Sequence, residues 1–136
     1  MGDEMIPRVA RGWIDDRAFA VLGIPRADGP PHLSVVWCMT DGDEVLVSTL
    51  RERLKYQMLE RDPRASLLVY PRENPNSYVS VEGTVAFQEE GAADFIQALA
   101  MRYKGRPYPE EPDAGRVTVR LRPERVYVRE RPTAIQ

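Results

Sequence analysis

The chain has 136 residues, 43% of them hydrophobic and 29% charged, with 19 Lys and Arg against 21 Asp and Glu for a formal net charge of −2. That length suits one domain over residues 1–136, able to bury roughly two-thirds of its unfolded surface, and the charge balance argues against bulk nucleic-acid affinity. The lone cysteine, Cys38, and lone histidine, His32, exclude a disulfide framework, a cysteine-based metal cluster and any zinc motif built on two histidines.

The chain opens Met-Gly-Asp-Glu-Met-Ile-Pro-Arg, with neither a basic n-region nor an apolar h-region, so no secretory signal is expected and the cytoplasm is the expected compartment. Met5, Ile6, Val9, Trp13 and Ile14 recur at mixed three- and four-residue spacing, which predicts a short helix over residues 3–15, interrupted or started near Pro7. Phe19 to Ile24 reads as a buried strand, and Asp28-Gly29 as a turn. His32 to Met39 alternates, with Leu33, Val35, Trp37 and Met39 on one face and His32, Ser34, Val36 and Cys38 on the other. Asp41-Gly42-Asp43 marks a second turn before a strand over Val45 to Ser48, so these three strands predict an antiparallel meander.

Thr49 and Glu52 form a capping-box pattern that predicts a helix starting near Leu50, with Leu50, Leu54, Met58 and Leu59 on its buried side and Asp62-Pro63 at its end. Arg64 to Tyr70 is a strand, Pro71 to Ser77 a polar loop, and Tyr78 to Phe87 a long strand. Val79, Val81, Val85 and Phe87 share one face of it, and Gly83 predicts a bulge or a tight bend. Ala92 to Tyr103 is a helix that buries Phe95, Ile96, Leu99 and Tyr103, and Gly105 to Gly115 is a loop. Val117 to Leu121 and Val126 to Val128 are the last strand or strands, interrupted at Pro123. No run of about 18 apolar residues is present, so no membrane partner is expected. Six or seven short strands with three helices between them predict a mainly β fold, a small antiparallel barrel.

One stretch proposes a chemistry. Ser48 and Thr49 end an apolar strand, and Arg51, Arg53 and Lys55 follow at a helix start. Hydroxyl donors, unpaired amides and basic side chains in one place make an anion site. Arg53 and Lys55 stand about 200° apart around a regular helix, so they can share one phosphate only at its first turn. The alternative is a solvated basic face countered by Glu52 and Glu60.

The order strand, Asp-Gly turn, alternating strand, Asp-Gly turn, then Ser48-Thr49, Arg53-x-Lys55 and Arg61-Asp62-Pro63-Arg64-Ala65-Ser66, resembles the flavin-binding split barrels related to pyridoxamine 5′-phosphate oxidase. Tyr78-Val79-x-Val81-Glu82-Gly83-Thr84 and Arg102-Tyr103-x-Gly105 are similar to later elements of that family, and the branch it most resembles contains probable deazaflavin (coenzyme F420)-dependent enzymes. The resemblance implies a homodimer of six-stranded antiparallel split barrels with cofactors in grooves at the subunit interface. Ser48, Thr49, Arg53 and Lys55 would hold the cofactor phosphate. His32, Ser34 and Val36 would flank the ring or its side chain, and Asn76 and Tyr78 would come from the partner subunit. Met58 stands where the family often has a polar Asn near the ligand, which weakens the transfer of that contact.

The implied activity is hydride transfer between F420, or alternatively FMN, and a small conjugated or heteroaromatic substrate. No dedicated acid–base residue is expected, because the cofactor carries the chemistry. A pyridoxamine phosphate oxidase-like enzyme using FMN and a non-catalytic flavin carrier are the other readings. Several residues stay open between two roles. His32 is a ligand contact or a half-exposed strand residue, and Tyr78 a ring contact or interface. Trp37 is core or dimer packing rather than a stacking platform. Arg116, Arg120, Arg122 and Arg125 are a charged strand edge or a site for the deazaflavin's polyglutamate tail.

Overall fold

The computed structural model describes residues 5–110 and 114–132. Asp3 and Glu4 of the expected first helix, and residues 111–113 of the expected loop, lie outside them. Three helices, α1 (Arg8–Ile14), α2 (Leu54–Arg61) and α3 (Ala92–Lys104), accompany seven strands. These are β1 (Phe19–Arg26), β2 (Gly29–Trp37), β3 (Met39–Asp41), β4 (Glu44–Leu50), β5 (Arg64–Val69), β6 (Tyr78–Gln88) and β7 (Arg116–Arg129). They form one antiparallel sheet in the order β2-β1-β5-β6-β7-β4-β3, curled into a split barrel. The short β3 is the addition to the six strands expected.

The barrel is split because β2 and β4 never pair. β2 hydrogen-bonds to β1 alone and β3 to β4 alone, so the expected three-strand meander is cut between Trp37 and Met39. The chain crosses from one sheet edge to the other through Cys38, whose side chain is buried. Tyr103 of α3 fixes this crossing: its hydroxyl accepts the Cys38 amide (3.1 Å) and donates to the Ala18 carbonyl. Trp37 stacks on the Tyr103 ring at 5.0 Å and meets Tyr108 edge-on at 6.4 Å, so it packs against α3 and the segment after it.

Alternation along the strands fills the barrel. Ala20, Leu22 and Ile24 of β1, Leu67 and Val69 of β5, Val79 and Val81 of β6 and Val119 and Leu121 of β7 are buried together with Ile6, Ala10 and Ile14 around α1. Met5 and Val9 of the expected α1 stripe face outward instead, because Ile6, Ala10 and Ile14 already occupy the inward row at four-residue spacing. On β2 the inward face is the more polar one, with His32, Ser34 and Val36, and Cys38 follows the strand. Leu33 and Val35 point outward and are 63% and 66% exposed.

Two local readings are corrected. Thr49 does not cap a helix. It pairs with Val117 inside the β4–β7 ladder, and α2 begins four residues later than expected, with Arg53 at its N-cap. A strand partner 68 residues away outweighs the local capping pattern, so β4 runs on to Leu50 before the chain turns. Nor is the last strand interrupted at Pro123. β7 is continuous, and the register slips by one residue opposite Gly83, so that Glu82 faces Arg125 and Gly83 faces Pro123. Glu124 is the extra residue of this bulge, which is where a strand tolerates proline. Gly83 is required there, since a Cβ would stand 1.9 Å from the Arg122 carbonyl oxygen.

β7 is an interior strand, so its arginines do not guard an edge. Arg120 bonds Asp41 and Glu44, Arg122 bonds Glu44, and Arg125 lies 3.4 Å from Glu82. With carboxylates of the chain already on them, these residues do not favour the polyglutamate-tail reading. No helix of the described residues is long and apolar enough to cross a membrane.

Candidate functional site

The end of β4, the start of α2 and the start of β7 meet at one cleft of about 180 Å³. Ser48, Thr49, Arg53 and Lys55 line it, with Val36 and Trp37 of β2, Leu99 of α3, Tyr108 and Arg116. The later helix start brings Arg53 and Lys55 to the N-cap and second position of α2, and both line the cleft there. The first intrahelical bond runs from the Gln57 amide to the Arg53 carbonyl (3.3 Å), so the amides of Leu54, Lys55 and Tyr56 have no partner within the helix. Those amides, the helix dipole and two cations converge on one spot.

The electrostatics suit an anion. Among the described residues neither Arg53 nor Lys55 takes part in an ion pair. Burial, and then the Arg53 charge, hold the Lys55 ammonium below its usual pKa. Arg51, the third basic residue of the stretch, is engaged elsewhere, by Glu89. Thr49 is 3% exposed and its Oγ1 is buried without a hydrogen-bond partner. His32 Nδ1 and Ser34 Oγ, further along the inward face of β2, are in the same condition. A buried polar atom without a partner carries a free-energy penalty that a ligand can relieve. Among the described residues the three such atoms stand on β2 and β4, the strands that do not pair at the split.

The structure thus brings Ser48, Thr49, Arg53, Lys55 and Val36 together and places His32 and Ser34 along the same seam. Met58 is elsewhere. It packs against the core and lines a second cleft with Pro25, Asp28, Leu54 and Arg61. Asn76 is exposed in the loop before β6, and Tyr78 faces Tyr127 across ring centroids 6.0 Å apart, and neither lines the cleft. Cys38 and His32 form no nucleophile pair. The thiol, pushed up to about 12 by burial, points to the Ile14 carbonyl.

Sequence reasoning missed Tyr108 and Glu110, and it had Arg116 only as one member of a basic cluster on the last strand, not in this cleft. The segment after α3 folds back over the cleft, its Tyr108 amide donating to Gln97 Oε1 (2.9 Å) while Gln97 Nε2 donates to the Tyr108 carbonyl (3.0 Å). Its one aromatic residue amid prolines was the available signal.

Residues 6–130 match the pyridoxamine 5′-phosphate oxidase family. The chain belongs to that family. Its split barrel is therefore of the family's flavin-binding type. Among solved structures, an F420 reductase superposes with a TM-score of 0.78 at 26% identity, over 90% of this chain and 98% of that one. The protein Rv2991 from Mycobacterium tuberculosis superposes with a TM-score of 0.73 at 25% identity, over 94% and 87%. General Stress Protein 26 from Bacillus anthracis str. Sterne shares the fold, with a TM-score of 0.68 at 24% identity over 88% and 89%.

Proposed function

We propose that this member of the pyridoxamine 5′-phosphate oxidase family is an oxidoreductase that uses coenzyme F420, acting as a homodimer on a small conjugated or heteroaromatic substrate. The observation that carries the reading is the cleft itself, with two cations outside any ion pair, free helix amides and the unpartnered Thr49 hydroxyl. The likeness to an F420 reductase favours F420 over FMN. A phosphate would sit among Ser48, Thr49, Arg53 and Lys55. A cleft of about 180 Å³ holds a phosphate but not a ring system, since drug-sized ligands fill roughly 300 Å³ or more. The ring would therefore lie outside it, along the seam where His32 and Ser34 offer polar atoms. The cofactor, when bound, supplies the hydride chemistry, and the chain binds, orients and shields it.

A second copy would complete the groove. Leu33, Val35, Phe19, Leu68 and Tyr127 are exposed on the outer face of β2, β1, β5 and β7, with Tyr70 exposed just after β5, and these apolar side chains support a subunit interface. Val35 belongs to both this face and the cleft rim.

Thermal unfolding with F420, with FMN and with neither tests the reading. A ligand at 100 times its Kd adds about 2.7 kcal/mol, and Arg53→Ala with Lys55→Ala removes the gain. No gain with either cofactor overturns the proposal. A gain without oxidation of reduced cofactor by a panel of acceptors points to a carrier. A single-chain mass by light scattering overturns the dimer.

A further inference from the structure

Arg116 enters the same cleft from the far side, and its surroundings differ from those of Arg53 and Lys55. It opens β7 opposite Leu50. Its Nη1 donates to Ser48 Oγ (3.1 Å), and its Nε lies 3.1 and 3.2 Å from the two carboxylate oxygens of Glu110. Its Nη2 also bonds Glu110, and the guanidinium stacks 5.3 Å from the Tyr108 ring centre. The two charged side chains are 8% and 11% exposed, so this ion pair is largely removed from water.

A guanidinium has five N–H donors. The bonds to Glu110 and Ser48 use three of them, leaving one on each terminal nitrogen. Ser48 is thus the bridge between Arg116 and the two cations at the helix start. Three cations line the cleft, and one carboxylate of the chain already touches the innermost of them.

We propose that Arg116 is a third cation for the ligand's anionic group and that Glu110 is an internal competitor for it. This rests on the cleft's being a phosphate site. The carboxylate holds the guanidinium aimed at Ser48 while weakening the field that a phosphate meets. Glu110 therefore sets affinity downward and ties the Tyr108 segment over the cleft. A site tuned in this way discriminates by charge. A doubly charged phosphate monoester loses more to the Glu110 carboxylate than a singly charged phosphodiester does.

The test is equilibrium binding of FMN, F420 and inorganic phosphate to the full chain and to variants. Glu110→Gln keeps the side-chain shape and removes the charge. It tightens FMN and phosphate by about tenfold, the order set by one desolvated like charge a few ångströms away, and F420 by less. It also lowers the melting temperature of the free protein, since it leaves a buried guanidinium uncompensated. Arg116→Gln weakens all three, and Arg116→Lys restores part of the loss. Opposite signs for affinity and stability in Glu110→Gln are what a merely structural ion pair does not produce. Should Glu110→Gln fail to fold, Glu110→Asp draws the carboxylate back by one methylene and gives a smaller gain of the same sign. If the folded variant binds FMN no tighter than the parent chain, while Arg53→Ala still abolishes binding, the inference falls alone. If neither the parent nor the Glu110 variants bind any of the three, it falls together with the phosphate reading.

Discussion

Replacing Thr49 by Val separates what the hydroxyl does for the fold from what it does for a ligand. The residue is 3% exposed, lies in the β4–β7 ladder and carries an Oγ1 without a partner. Leaving such a group unsatisfied costs about 1–3 kcal/mol. Valine has the same branched shape and no polar atom, and suits a strand. Thr49→Val therefore stabilises the free protein by about 1–2 kcal/mol, raising Tm by roughly 4–8 °C for a chain of this size. In the complex the balance reverses. A hydroxyl donating to a phosphate oxygen is a hydrogen bond to a charged group, with a net value of about 1.5–3 kcal/mol, so the Kd for cofactor rises ten- to a hundredfold. Scanning calorimetry of the free protein and fluorescence titration with FMN or F420 give both quantities on one preparation. Thr49→Ser keeps the hydroxyl and serves as the control for affinity. A Thr49→Val chain that melts below the parent and binds cofactor equally well refutes the reasoning, because its hydroxyl was then neither unsatisfied nor waiting for a ligand.

Lys55→Gln should behave in the same direction for a different reason. Burial and Arg53 lower the Lys55 pKa, so its charge disfavours the fold at neutral pH, and its stabilising contribution appears only as pH rises from that lowered value toward 10.5. With the screening of a half-exposed group allowed for, its removal adds on the order of 0.5 kcal/mol, read as a Tm higher by about 1–2 °C at pH 7, while phosphate binding weakens. Gly83→Ala sets a Cβ 1.9 Å from the backbone oxygen of Arg122, and loss of at least about 3 kcal/mol should show in urea unfolding; an unchanged midpoint would mean the β6–β7 bulge adjusts freely. Cys38, with its thiol pushed up to about 12, should resist a disulfide reagent at pH 8 in the native chain and react at once in denaturant. Its buried neutral thiol supports the fold below its ordinary value near 9.0, and that support is lost as pH climbs from there toward 12.

Most of the strands were legible because one face of each is buried and alternation records which. The bulge was half legible. Gly83 announced it, and the inward residues of β7 change parity between Leu121 and Val126, which is what one extra residue does to a strand with a period of two. Pro123 obscured this, since proline alone reads as an interruption. The phosphate-type cleft was legible in its residues and wrong in its mechanics. Thr49 and Glu52 fit a local pattern, yet Thr49 answers to Val117, a partner that no local pattern contains. Arg116 was legible only as one of a basic cluster and Glu110 not at all, because their meeting with Ser48 depends on how the segment after α3 turns back over the barrel. Met58 lines the second cleft and packs against the core, so the ligand contact expected of it is not met in the cleft that holds the cations.

The passage of the chain through Cys38 makes the barrel's last joint a covalent one. Six of the strand-to-strand joints are hydrogen-bonded ladders. The seventh is a single residue, pinned by Tyr103. The two edge strands, β2 and β3, are therefore tied to each other by the chain itself and not by a ladder. Tyr103 on the Cys38 amide and Asp15 on Thr40 fix that link from α3 and from the end of α1, so two helices rather than a strand partner close the barrel at this point.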